Sequence, residues 1–252
     1  MTELLSASGL SLQSLVFAAA MTFGAAYIRG LTGFGMAIIL VPLLGIVIRP
    51  EQAVILAILL QFLIGPIGIG NSLRQSEKPS VYLIAATAML LTPLGLWLLS
   101  ITPPDLARLF IAAVAIGAFI LIILPGHRRG RPGLPFTIAT GAVSGILTGF
   151  AAMPGPPVVP YYLQNNVDPQ VARASMMVIF FAAAVAGTAI ALISGFGSIA
   201  LAALSLLLLG PMLLGNMLGA RAFGKVSPPI WRAMVAVLLG VAGVSALLRV
   251  IS

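Results

Sequence analysis

The 252-residue sequence has no cysteine, a single histidine and only five acidic residues. The missing thiols exclude disulfides and cysteine-ligated metals. The five acids all lie in or beside the polar segments that separate the apolar runs: Glu3, Glu51, Glu77, Asp105 and Asp168. Cation pumps and carboxylate proton relays depend on acids buried in the membrane, and general acid–base catalysis needs titratable groups. We therefore expect no enzymatic activity, no cofactor and no metal.

Charge is scarce throughout the chain. Charged residues make up 7% of it, against about 25% in soluble domains, while 60% of the residues are hydrophobic and the mean hydropathy is +1.16. The apolar runs are about 20 residues long, the length with which a helix crosses ~30 Å of hydrocarbon. Barrel strands would instead alternate over ~10 residues. The fold class is therefore all-α, a polytopic membrane protein, with residues 1–252 predicted to form a single membrane domain.

A glycine-rich interruption of the apolar sequence occurs twice. Leu31-Thr-Gly-Phe-Gly35 recurs as Leu147-Thr-Gly-Phe-Ala151, and Val41-Pro42 recurs as Val159-Pro160. Three proline positions repeat in the same order. The turn Arg49-Pro50-Glu51 matches Asp168-Pro169-Gln170, Thr92-Pro93 within a span matches Gly210-Pro211, and Thr102-Pro-Pro104 at a helix start matches Ser227-Pro-Pro229. This order predicts an internal duplication, with repeat 1 at about 12–124, a basic linker at 125–134 and repeat 2 at about 135–252.

The basic residues, which give the chain a net charge of +8, lie mainly between apolar runs. That pattern is the topology signal of a membrane protein, so membrane lipid is an expected partner and nucleic acid is not. If the broken block of each repeat folds back as a V, nine basic residues share one face and three the other, namely Arg49, Arg108 and Arg249. If each block instead crosses the membrane once, six basic residues lie on each face. The positive-inside rule favours the V, with both termini outside and a cytoplasmic linker.

The V predicts two inverted repeats, each a V-shaped broken helix pair plus three spanning helices. In the first repeat, one leg of the V runs over residues 15–29, ~22 Å at 1.5 Å per residue, and the other leg returns over residues 33–47. The other predicted segments are a helix over 52–70, a polar loop over 72–79, spans over 81–99 and 102–124, and helices over 171–193 and 198–220. The two tips then point toward each other at mid-depth, which is the architecture of secondary transporters.

The tips are the candidate binding site. A helix that restarts after a break points unpaired N–H groups, with roughly half a positive charge, at whatever occupies the tip. Glycine permits close backbone approach, and threonine adds a hydroxyl donor. The candidates are Thr32, Gly33, Phe34 and Gly35 in the first tip, and Thr148, Gly149, Phe150, Pro154 and Gly155 in the second. The alternative is that these glycines serve only close helix packing.

Three polar side chains within the apolar blocks complete the candidate site. Arg29 precedes the first tip, where it could bind an anion bidentately or extend toward an interface. Gln61 and Asn216 lie inside predicted spans and are candidates for the substrate path. Arg173 follows a proline turn and is predicted to be a cytoplasmic anchor, and Phe180-Phe181 are predicted to be packing or lipid-facing residues.

These glycine patterns resemble a known family. Gly30-Leu-Thr-Gly-Phe-Gly35, its echo Gly145-Ile-Leu-Thr-Gly-Phe150, the proline break Pro154-Gly-Pro-Pro157, the length and the eight apolar blocks are similar to the TauE/SafE family of sulfite and organosulfur exporters. The resemblance implies transport of sulfite, a sulfonate or sulfoacetate. The segment 153–157 departs from the glycine-richest versions of the second motif.

The predicted function is a secondary transporter that moves a small sulfur-containing anion across a bacterial-type plasma membrane by alternating access. The tips, Pro93 and Pro211 are its expected hinges, because backbone pairing is interrupted there. Whether a coupling ion moves with the anion is left open. The alternatives are a passive channel for small anions or neutral solutes, and a structural or assembly subunit without transport.

Overall fold

The computed structural model describes residues 11–123, 132–163, 165 and 167–222. These ranges form ten α-helices and no strand. The helices are α1 (Leu12–Thr32), α2 (Met36–Leu44), α3 (Pro50–Ile64), α4 (Ile69–Gln75), α5 (Lys78–Ile101), α6 (Pro104–Ile123), α7 (Leu134–Ala151), α8 (Gly155–Leu163), α9 (Pro169–Ile193) and α10 (Ile199–Ala222). Most of the predicted linker and the last of the repeated proline positions, Ser227-Pro-Pro229, lie outside the described residues.

Five of the helices in the described ranges are long and apolar enough to cross a membrane: α1, α5, α7, α9 and α10. The number becomes six if α3 and α4, which are bent by 81°, form one span. The prediction of an all-α, multi-pass membrane protein is confirmed. The inverted relation of the two repeats, the division of the chain into repeats and linker, the type of membrane and the side on which the termini lie stay predictions.

Both helix breaks lie where the glycine patterns predict them. After α1 the chain passes through Gly33 and Gly35, with φ of 84° and 87°, and after α7 through Ala152, with φ of 57°. These left-handed conformations end a helix. The first leg nevertheless has 21 residues, more than predicted. Gly30 stays helical, and because it has no side chain the backbone of α10 can approach it at Asn216. The predicted end at Arg29 is therefore wrong.

The predicted polar loop over 72–79 is also wrong, because its first part belongs to the helix α4. The bend at the left-handed Gly68 separates α4 from α3. Ser72 on α4 is buried, with its hydroxyl 3.8 Å from the sulfur of Met177 on α9.

The helices predicted over 171–193 and 198–220 are confirmed as α9 and α10. Two helices, α5 and α10, continue through an internal proline, Pro93 and Pro211 respectively.

The tightest packing joins helices from the two halves of the chain, α5 with α7 and α1 with α10. Gly145 and Gly149 of α7 face α5 so closely that a Cβ atom on either would overlap a backbone carbonyl oxygen, that of Ala88 or Thr92. Gly215 and Gly219 of α10 face α1 in the same way. Small residues are what allows membrane helices to approach at this distance. Gly149 therefore has the packing role that the sequence left as an alternative.

The close contact of α5 with α7 makes Gly149→Ala a destabilising change. The added methyl group must push α5 and α7 apart, and overpacking of this kind costs about 1–3 kcal/mol. We expect the variant to unfold at a lower temperature than the wild type in detergent. Gly117→Ala on α6 is the matched control, because a Cβ there meets nothing within 4 Å and alanine is the better helix former. Equal stability of the two variants would contradict the packing role.

Candidate functional site

The two helix breaks lie against one cavity. Its lining comes from the end of α1, the start of α2, the second break, α3 and α9: Arg29, Phe34, Gly35, Met36, Ala37, Ile38, Gln61, Met153, Pro154, Gly155 and Phe180. The cavity measures about 20 Å³, which is room for about one water molecule. Of the residues predicted from sequence, six line it: Arg29, Phe34, Gly35, Gln61, Pro154 and Gly155.

Two helices begin at this cavity, α2 at Met36 and α8 at Gly155. The N–H groups of a helix's first turn have no partner within the helix and carry a partial positive charge. In α8 the second and third residues are Pro156 and Pro157, which have no N–H. The start of α2 therefore offers more N–H donors than the start of α8.

The buried Gln61 ties α3 to the second break. Its side-chain nitrogen donates to the carbonyl oxygens of Ala57 at 3.2 Å and Ala152 at 3.0 Å. Both amide hydrogens are therefore used, and only the amide oxygen, an acceptor, remains for a ligand. Gln61 supports the left-handed turn at Ala152, and its place in the substrate path stays a prediction.

Arg29 and Asn216, two predicted site residues 187 positions apart, are joined by a hydrogen bond. The Nη1 of Arg29 donates to Oδ1 of Asn216 on α10 at 2.9 Å. Arg29 thus lies at the cavity wall with a neutral partner, which favours the binding alternative over extension toward an interface. Asn216 itself does not line the cavity and positions Arg29.

Arg173 lies beside the first break, outside the residues that line the cavity, and the sequence interpretation did not place it there. Its Nη2 donates to the carbonyl oxygen of Gly30 at 2.8 Å, and its Cγ lies beside Gly33, 2.5 Å from where a Cβ would be. The structure places Arg173 at the first break rather than among lipid anchors. The signal for it in the sequence is Gly33, whose missing Cβ atom leaves room for the Arg173 side chain, whereas Gly30 faces α10.

The remaining candidates lie outside the cavity. The hydroxyl of Thr32 accepts from the N–H of Phe34 at 3.2 Å and donates to the carbonyl oxygen of Ile28 at 2.8 Å, so it closes the first break locally. Thr148 donates to the carbonyl oxygen of Ser144 at 2.7 Å within α7. A binding role for either hydroxyl stays a prediction.

Two further candidates of the second break and one of the first have packing contacts. Phe150 meets Phe110 of α6 edge to face, with ring centroids 6.2 Å apart. Gly149 packs against α5, and Gly33 against Arg173. Direct binding by these three residues likewise stays a prediction. Conversely, Phe180 lines the cavity although the sequence predicted only packing or lipid contact for it.

Comparison with known proteins identifies the family. The family model for the sulfite exporter TauE/SafE matches residues 18–246. No curated protein and no solved structure matches the chain. The matched segment contains both helix breaks, the cavity between them and every helix from α2 to α10. The chain therefore belongs to the TauE/SafE family of sulfite exporters.

Proposed function

We propose that the protein is a secondary transporter that moves a small sulfur-containing anion, of the sulfite, sulfonate or sulfoacetate type, across the plasma membrane by alternating access. The observation that carries the proposal is the small cavity at which both helix breaks meet. Broken helices that face each other at a central site are how secondary transporters bind ions and substrates. Membership of an exporter family supports the same conclusion.

The chemistry of the cavity favours an anion. The start of α2 contributes unpaired N–H groups, and Arg29 contributes a guanidinium. None of the residues described as lining the cavity is acidic. Its other walls are apolar, since Met36, Ile38 and Phe180 face it, and low polarity strengthens the attraction between an anion and the few donors present.

The sizes of the spaces along α3 favour alternating access over a continuous pore. A cavity of about 20 Å³ is too small for a sulfur oxyanion, which has several heavy atoms. A second pocket of about 280 Å³ is lined by the start of α3, the end of α5 and Phe196. Its residue Ile55 precedes Gln61 by six positions on α3, about 9 Å along the helix. The protein thus has a wide space near the start of α3 and a narrow one at the breaks.

Counterflow in proteoliposomes tests the proposal. Vesicles loaded with unlabelled sulfite, taurine or sulfoacetate are placed in a trace of the radiolabelled anion, and uptake is followed. We expect saturable uptake that the loaded anion accelerates, because one carrier must return for each anion moved. Uptake that does not saturate and that loading leaves unchanged would identify a channel. Absence of flux with every anion would favour a subunit without transport.

A further inference from the structure

We infer that Phe34 is a gate. Its side chain closes the cavity toward the side of the membrane at which α5 and α9 begin, and it moves aside when the transporter opens there. The two helix starts lie together, because the N–H of Glu77, just before α5, donates to the hydroxyl of Ser175 on α9 at 3.0 Å. The inference rests on the proposed function and assigns one of its moving parts.

Phe34 lies where two hydrophobic clusters meet at the cavity. It is a wall of the cavity, as is Phe180. Both belong to a smaller cluster whose other members, among the described residues, come from the start of α5, from α8 and from the first half of α9. The cavity residues Met36, Ile38 and Met153 belong to the larger cluster. The cavity therefore lies between the two clusters, and Phe34 reaches from the first break into the smaller one.

The smaller cluster fills one side of the cavity. Its members on α9 run from Ala172 to Phe180, about 12 Å along the helix between its beginning and the cavity. On the other side, the pocket of about 280 Å³ is lined by the end of α5 and by Phe196, which follows α9. A ligand that leaves toward the starts of α5 and α9 must therefore pass through the cluster to which Phe34 belongs.

The backbone on both sides of Phe34 is suited to a movement of its side chain. Gly33 and Gly35 have φ of 84° and 87°, and glycine passes between left- and right-handed conformations without the Cβ clash that other residues meet. The corresponding residue of the second half, Phe150, lies within α7. It packs against Phe110 and is not among the residues that line the cavity. The two copies of the motif therefore differ, and the first has the geometry of a gate.

Thr32 holds Phe34 through a hydroxyl that has two alternative acceptors. Its oxygen accepts from the N–H of Phe34 at 3.2 Å, and it lies 2.8 Å from the carbonyl oxygens of both Phe34 and Ile28. A hydroxyl has one hydrogen, so it donates to one carbonyl at a time. Donation to Phe34 fixes the gate. Donation to Ile28 is the bond that a threonine forms with the preceding turn of its own helix, and it withdraws the hydrogen from Phe34.

Phe34 also has a purely structural alternative, in which its ring only fills the core. Loss of a core ring loosens the protein in every direction, so this alternative predicts that a residue in the cavity becomes equally more accessible from both sides of the membrane. A gate predicts an increase from one side only. The sidedness of the change is therefore the quantity to measure.

The experiment measures how fast a cysteine in the cavity reacts with a membrane-impermeant thiol reagent, in membrane vesicles of either orientation. The reporter is Gly155→Cys in the full-length chain, because a Cβ there has only ordinary contacts and the chain has no native cysteine. A separate variant, Lys78→Cys at the start of α5, identifies the side. We expect Phe34→Ala to raise the labelling rate from that side about tenfold or more, and to leave the rate from the other side within about twofold.

Three further variants in the reporter background sharpen the test. Phe150→Ala, in the same motif of the other half, is the matched control and should leave both rates unchanged. Thr32→Val removes the hydroxyl at nearly the same volume, and it should raise the rate from the side of Lys78 about fivefold, since one hydrogen bond to the gate is lost. Thr32→Ser keeps the hydroxyl and should keep the slow rate.

An equal rise from both sides in Phe34→Ala would overturn the inference, and so would no rise. If Phe34→Ala does not fold, Thr32→Val and Thr32→Ser decide the matter by the same criterion. Counterflow of the wild type separates this failure from that of the proposed function. A wild type that exchanges anions although Phe34 does not affect labelling is a transporter with another gate, whereas one that exchanges no anion contradicts the transport proposal itself.

Discussion

Replacing Gly33 by alanine is expected to lower anion transport about 10- to 150-fold, whereas Gly68→Ala stays near the wild-type rate. Both glycines are left-handed, with φ of 84° and 76°, so both changes cost the same backbone strain of roughly 1–2 kcal/mol. They differ in what the added methyl group meets. At Gly33 a Cβ lies 2.5 Å from Cγ of Arg173, and at Gly68 it meets nothing within 4 Å.

The size of the effect follows from the displacement of Arg173. Cγ is near the base of the side chain, so the whole guanidinium must move and its bond to Gly30 is lost. A hydrogen bond from a charged group contributes about 1.5–3 kcal/mol, and each 1.4 kcal/mol is about a factor of ten. Initial rates of uptake into proteoliposomes give the comparison, and melting temperatures of the two variants show whether their stabilities match. A Gly33→Ala protein that transports as fast as Gly68→Ala would show that the position of Arg173 has no effect on transport.

The positions of the helix breaks could be predicted from the sequence because they have a local cause. Gly33 and Gly35 adopt positive φ at little cost, and the same pattern in the second half marks a break even where Ala152 takes the left-handed position. The exact end of α1 could not be predicted. Gly30 is equally able to break a helix, but it stays helical, at a contact with α10 that has no room for a Cβ atom.

The site was harder to predict because its members come from distant parts of the chain. Arg29 and Gln61 could be found because they are polar residues within apolar runs, a feature that is visible in the sequence alone. The sequence does not distinguish Arg173 from an arginine that anchors a helix at the lipid surface. Only the tertiary fold brings α9 to the first break. The packing role of Gly149 did leave a trace in sequence, since Gly141, Gly145 and Gly149 recur at helical spacing on one face of α7.

Linking the two breaks to each other is expected to stop transport almost completely. The anion cannot enter a cavity of about 20 Å³ unless the breaks separate, so a short covalent bridge across it should hold the protein closed. Gly155 and Ile38 face each other across the cavity: a Cβ on Gly155 would lie 3.9 Å from Cδ1 of Ile38, an ordinary contact. A cysteine therefore fits at 155. The chain has no native cysteine, so an introduced pair reacts without competition.

The most direct measurement is the uptake of labelled sulfite by the double variant Ile38→Cys, Gly155→Cys before and after treatment with a short, reducible thiol cross-linker. We predict that cross-linking abolishes uptake in the double variant, that a reductant restores it, and that each single variant keeps its rate through the same treatment. Undiminished uptake by a fully cross-linked double variant would contradict the proposal that the anion passes between the two helix breaks.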